Sequence, residues 1–157
     1  MKTIKSLLAE KGHDVWSISS GETVYKALEL MAEKNIGALM VIDDCKVIGI
    51  ITERDYCRKV ILKGKSSYNI LVGELMTTNL TCATPEDTLD HCLSLMVARD
   101  SRHLPIFDHS ELVGIVTLAD VVKQMLSKQQ IEIDNFENLV YGGYRACDTP
   151  STPPKER

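Results

Sequence analysis

The sequence predicts an α+β fold, a two-layer arrangement of helices and sheets built from two tandem copies of one unit. Three observations lead there. Slid by 65 positions, residues 17–60 lie over 82–125 without a gap, and self-similarity of that extent marks a tandem repeat. Within each copy, helical periodicity alternates with short runs rich in β-branched residues. Each copy also closes its second run with Gly-x-x-Thr-x-x-Asp: GIITERD at 49–55 and GIVTLAD at 114–120.

The elements follow in chain order. Ile4, Leu7 and Leu8 form an apolar lead-in that resembles Val72, Leu75 and Met76, but at an offset of 68. The first copy therefore carries three extra residues, around Gly12-His13-Asp14. Val24, Ala27, Leu28 and Met31 stand at i, i+3, i+4 and i+7, one face of a helix. ALMVI (38–42) and VIGII (47–51) read as strands, with DDCK between them as a hairpin turn. A helix over 53–62 should stop near Gly64. After the polar linker KGKSSYN (63–69), the second copy repeats the plan with Leu89, Cys92, Leu93 and Met96, then LPIF, LVGIV and a helix over 118–128. IEIDNFENLVY (131–141) reads as one more amphipathic helix, and the Pro- and Ser-rich remainder as a disordered tail. The division is 1–68 for the first repeat with its N-terminal lead-in, 69–128 for the second, and 129–157 for the C-terminal helix and tail.

Neither copy can bury enough surface alone. The two should pack sheet to sheet about a pseudo-twofold axis and leave two symmetric clefts, where small ligands bind. A chain of 157 residues, 44% apolar and 25% charged, has the material for such a core. Its net charge of −4 gives no global field for nucleic acid or an anionic membrane. No apolar run nears the length of a membrane span, and the N-terminal patch, broken by Glu10 and Lys11, is too weak for a secretory signal. The five cysteines are scattered without C-x-x-C, as expected of reduced thiols in a cytoplasmic protein. The four histidines lack ligand spacing, so no metal is expected. No nucleophile elbow, P-loop or triad is present, so no enzyme is expected either.

Thr-x-x-Asp at a strand-to-helix junction has a plain structural use. It is a capping box, in which threonine caps the helix and aspartate returns to the N-cap amide. The same residues facing a cleft could bind a nucleotide, with threonine donating to phosphate and aspartate accepting from a ribose diol. The glycine ahead of them would let backbone and ligand approach closely.

The repeat, the hairpins and both copies of this motif resemble a pair of cystathionine-β-synthase (CBS) domains, a Bateman module. KGHDVWSI, IGALMVID, ITERDYCRKVILKGKSS and ELMT are similar to a bacterial and organellar subgroup with no attached enzyme domain. The resemblance implies a sensor of energy state that binds an adenine nucleotide (AMP first, or ADP, ATP or NAD), pairs into a homodimer, and signals to a regulated partner. In site one it implies Asp55 on ribose and Thr52 on phosphate, with Arg54, Arg58, Arg102 and His103 as further phosphate ligands. Ser17-Ile18-Ser19 and Ile36-Gly37-Ala38 would hold adenine. Site two would use Thr117 and Asp120, with Cys82-Ala83-Thr84 and His103-Leu104-Pro105 around the base. There Leu118-Ala119 replace Glu53-Arg54, and Lys34 is the nearby cation, so the first site should bind phosphate better. Trp16 should stand at the mouth of the first cleft, as packing or as a ligand contact. Two other readings compete: an interaction module with empty clefts, and a thiol redox protein using Cys57 or Cys82.

Overall fold

The computed structural model describes residues 2–127. One compact unit, ending at Val122, contains the first repeat and the second up to that residue. Its elements are α1 (Ile4–Lys11), β1 (Ser17–Ile18), α2 (Val24–Lys34), β2 (Ala38–Asp43), β3 (Lys46–Thr52), α3 (Glu53–Lys59), α4 (Val72–Leu75), α5 (Leu89–Ala98), β4 (His103–Asp108) and β5 (Glu111–Thr117). Residues 118–127 are helical. The expected helix at 131–141 and the tail lie outside the described residues.

The repeat is preserved down to its irregularities. β2 and β3 pair from Ala38↔Thr52 to Asp43↔Lys46, with a bulge at Val41/Ile42. β4 and β5 pair from His103↔Thr117 to Asp108↔Glu111, with a bulge at Ile106/Phe107, 65 positions on. β1 runs parallel to β2, and a single parallel bridge, Ala83↔Ile106, takes its place in the second copy. The first hairpin turns on Asp44 and Cys45, both at positive φ. That backbone matches a type I′ turn, whose twist suits the flanking strands.

β2 and β3 bury both faces, which explains why they read as unbroken apolar runs rather than alternating ones. Leu39, Val41 and Ile51 face Val24, Ala27 and Met31 of α2. Ala38, Met40 and Ile50 point the other way and meet Leu112 and Ile115 of β5. This is the sheet-to-sheet contact that joins the repeats.

Two features differ from the sequence expectation. The helix expected over 53–62 ends at Lys59, because Val60 turns fully into the core; a 3₁₀ turn, Ile61–Lys63, follows and stops at Gly64 in the left-handed region. The lead-ins are exchanged in space: each packs on the other repeat. Ile4 N donates to Asp87 O at 2.9 Å and Lys5 N to Pro85 O at 2.8 Å, tying α1 to the second repeat. Val72 N donates to Glu22 O at 2.8 Å and Gly73 N to Ser20 O at 2.9 Å, tying α4 to the first. The two pairs of bonds are counterparts under the repeat.

The exchange also explains the glycines. A Cβ on Gly49 would lie 2.8 Å from Met76 Sδ and 2.9 Å from the Thr77 carbonyl, and one on Gly114 would lie 2.8 Å from Leu8 Cδ2. The close approach these glycines permit is to the neighbouring lead-in, not to a ligand.

Candidate functional site

A cleft of about 400 Å³ opens between the two repeats at the β3–α3 junction. Thr52, Arg54, Asp55 and Arg58 line it from the first repeat; Arg99, Asp100, Ser101, Arg102 and His103 line it from the second. Ile50, Leu80 and Pro105 supply apolar wall.

The junction is built locally by the capping box. Thr52 N and Oγ1 donate to Asp55 Oδ2 at 3.1 and 2.9 Å, and Asp55 N donates to Thr52 Oγ1 at 3.2 Å. Lys59 Nζ pairs with Asp55 Oδ1 at 2.8 Å. The second copy repeats the cap: Thr117 N donates to Asp120 Oδ2 at 2.8 Å, and Asp120 N to Thr117 Oγ1 at 3.2 Å. The structural use of Thr-x-x-Asp is therefore real in both copies. It also fixes each carboxylate: the capping oxygen Oδ2 takes two donors in each copy, and Asp55 Oδ1, held by Lys59, keeps capacity for another.

Charge sets the character of the cleft. Four arginines (54, 58, 99, 102) face Glu53, Asp55 and Asp100, a positive surplus in a chain of net charge −4. Arg54 Nη1 reaches across the repeats to the Asp100 carbonyl and carboxylate, both at 3.1 Å, which holds its guanidinium at the cleft wall. α3 has only seven residues, so the arginines rather than a helix dipole attract an anion. Burial pushes the His103 ring below its ordinary pKa of 6.5, reinforced by Lys11, Arg54 and Arg102 and opposed by Asp120. His103 is therefore neutral near pH 7, and Asp120 is the motif aspartate that acts on it.

The sequence-derived site is assembled in part. Thr52, Arg54, Asp55, Arg58, Arg102, His103 and Gly37 come together around the cleft. Ser17-Ile18-Ser19 do not: Ile18 is core, and Ser19 Oγ donates to Asp43 at 2.8 Å, at the far end of β2. Ile36 packs against the α2 core, and Ala38 is buried between the sheets. The wall expected from 17–19 comes instead from Thr77, Asn79, Leu80 and Thr81 of the lead-in that packs on the first repeat.

Around Asp120 the outcome is similar. Ala83 and Leu104 are buried, Thr84 bonds its own turn through Asp87, and Pro105 lines the first cleft. Cys82 is exposed. Trp16 is not among the residues lining the first cleft; Lys34 Nζ sits 4.4 Å over its ring. Besides the wall from Thr77, Asn79, Leu80 and Thr81, sequence reasoning missed Arg99, for which a signal existed. Arg99 is the counterpart of Lys34, already noted beside the second cleft, under the same 65-residue shift.

Thiol chemistry has little support. Cys45, Cys57 and Cys82 are exposed and apart from the cleft lining, and burial pushes the Cys92 thiol up to about 11. Among the described residues no cluster of three metal-ligating side chains occurs, and no helix is long and apolar enough to cross a membrane.

Comparison with known proteins agrees with this architecture. The CBS domain family model matches residues 9–61 and 72–127. A mitochondrial CBS domain-containing protein of Arabidopsis thaliana, CBSX3, is 34% identical over 152 residues, which cover 90% of this chain and 73% of that protein. The structure of a protein with CBS domains from Burkholderia ambifaria MC40-6 superposes with a TM-score of 0.79 at 38% identity, covering 82% of this chain and 96% of that one. The CBS domain pair of the protein MJ0100, solved with 5′-methylthioadenosine and S-adenosyl-L-methionine, superposes with a TM-score of 0.71 at 25% identity over 82% of this chain and 98% of that one. Two matched copies, the exchanged lead-ins and a cleft at the motif junction lead to one conclusion: the chain belongs to the CBS-domain family and is a CBS-pair module.

Proposed function

We propose that this module binds an adenine nucleotide, AMP first and ADP, ATP or NAD as alternatives, in the Asp55 cleft and signals energy state to a partner protein. The observation that carries this is the convergence of four arginines with Thr52 and Asp55 on one cleft of about 400 Å³, a volume suited to a small ligand. Asp55 accepts from the ribose hydroxyls, the arginines hold phosphate, and Ile50, Leu80 and Pro105 offer the base an apolar wall. The MJ0100 pair solved with two adenosine derivatives supports the choice of ligand class. Because both repeats line the cleft, occupancy biases their relative packing only as far as the ligand prefers one arrangement.

The module acts without catalysis and without a metal, as a cytoplasmic homodimer. Ile61, Leu62 and Val97 are exposed, more apolar surface than a small monomer usually shows. The intact capping boxes favour a second reading, an interaction module with empty clefts. Native mass spectrometry of freshly purified protein separates the two. A retained nucleotide mass supports the sensor; bare protein that also fails to take up added AMP supports the interaction module. The same spectra report the dimer, and a clean monomer refutes that part.

A further inference from the structure

The second motif aspartate already has an occupant. Lys11 Nζ, from the C-terminal end of α1, donates to Asp120 Oδ2 at 2.5 Å and to the Ile115 carbonyl at 2.9 Å. Two residues on, His13 Nδ1 lies 2.8 Å from the Val113 carbonyl. Together they strap the edge of β5 with side chains.

The first repeat does this differently. There Ile50, the counterpart of Ile115, exchanges two main-chain bonds with Thr77, at 3.0 and 2.8 Å. The lead-ins differ here: α4 ends at Leu75, the counterpart of Leu7, whereas α1 continues to Lys11. A lysine long enough to reach the aspartate thus stands where the first repeat has a main-chain bridge. Asp55 also has a lysine, but Lys59 lies one turn along the same helix and does not line the cleft. The second copy has glutamine at the matching position 124, so the lysine comes from α1 instead. Its ammonium lies near enough to His103, a cleft residue, to act on its titration.

We propose that Lys11 is a resident counter-ion that blocks the Asp120 site, so that the module binds one nucleotide rather than two. A ribose diol at Asp120 must compete with a charge-assisted bond, and such bonds are stronger than those a neutral hydroxyl makes. The side chains are 32% and 27% exposed, so solvent screens the pair incompletely. α1 itself is held by its main-chain bonds to Pro85 and Asp87, which keeps the lysine in reach. The difference between the two motif sites thus has a structural cause beyond the missing arginine.

This inference rests on the nucleotide reading. The test counts AMP bound by native mass spectrometry to wild type, Lys11→Met, Lys11→Gln and the double variant Lys11→Met/Asp55→Ala. Lys11→Met keeps the apolar stem; Lys11→Gln keeps a donor for the Ile115 carbonyl if the methionine variant does not fold. The expected counts per chain are one for wild type, two for each Lys11 variant and one for the double variant. The freed site gains at least roughly tenfold in affinity. One AMP in wild type and still one in both Lys11 variants overturns the inference and leaves the nucleotide reading standing. Two AMP in wild type also overturns it. If wild type and every variant fail to take up AMP, ADP, ATP and NAD alike, both are overturned.

Discussion

At the residue scale, the glycine of each motif makes room for protein. At Gly49 an added methyl meets the Thr77 carbonyl, which is main chain; at Gly114 it meets the tip of Leu8, which can rotate. Gly49→Ala should therefore cost about 1–3 kcal/mol in urea unfolding, and Gly114→Ala clearly less. Equal losses would mean that both contacts relax alike. His103 gives a pH prediction. Its folded pKa lies below the ordinary 6.5, chiefly through burial, so the unfolded chain takes up its proton first and stability falls as pH drops through that range. His103→Gln removes this loss. The wild type should lose more stability than the variant between about pH 7.5 and about pH 5.5 in urea melts; parallel losses would show that His103 titrates normally.

At the element scale, α1 belongs to the second repeat in space. Leu8 is 1% exposed against Gly114, so Leu8→Ala should cost about 2–5 kcal/mol. Hydrogen exchange should show protection lost first in α5, β4 and β5, not in α2, β2 and β3; the reverse order would refute the exchange. This arrangement was not legible in the sequence, and the reason is physical. The bonds by which Ile4, Lys5, Val72 and Gly73 dock α1 and α4 are main chain to main chain, so they leave no residue signature. The helices and strands were legible, because burial on one helix face or both sheet faces imposes a period on the residues themselves. The break at Val60 was hidden, since a valine entering the core looks the same on a continuing helix. Within the site, the motif and its arginines could be read locally. Thr77–Thr81 and the Lys11–Asp120 pair could not, because they depend on which lead-in packs on which repeat.

At the scale of the whole molecule, the two repeats form one unit whose cleft takes residues from both, so ligand binding and repeat packing are linked. The central claim is that this cleft holds a nucleotide by its phosphate and ribose. Calorimetric titration of wild type, Asp55→Ala and Arg102→Ala with AMP and with adenosine tests it most directly. The account predicts that AMP binds wild type and that Asp55→Ala abolishes this binding. Arg102→Ala should weaken AMP by roughly ten- to a hundredfold yet hardly change adenosine, which has no phosphate to lose. If AMP, ADP, ATP and NAD all fail to bind wild type at about millimolar concentration, a weak limit for a specific site, or if Asp55→Ala binds AMP as wild type does, the account is contradicted.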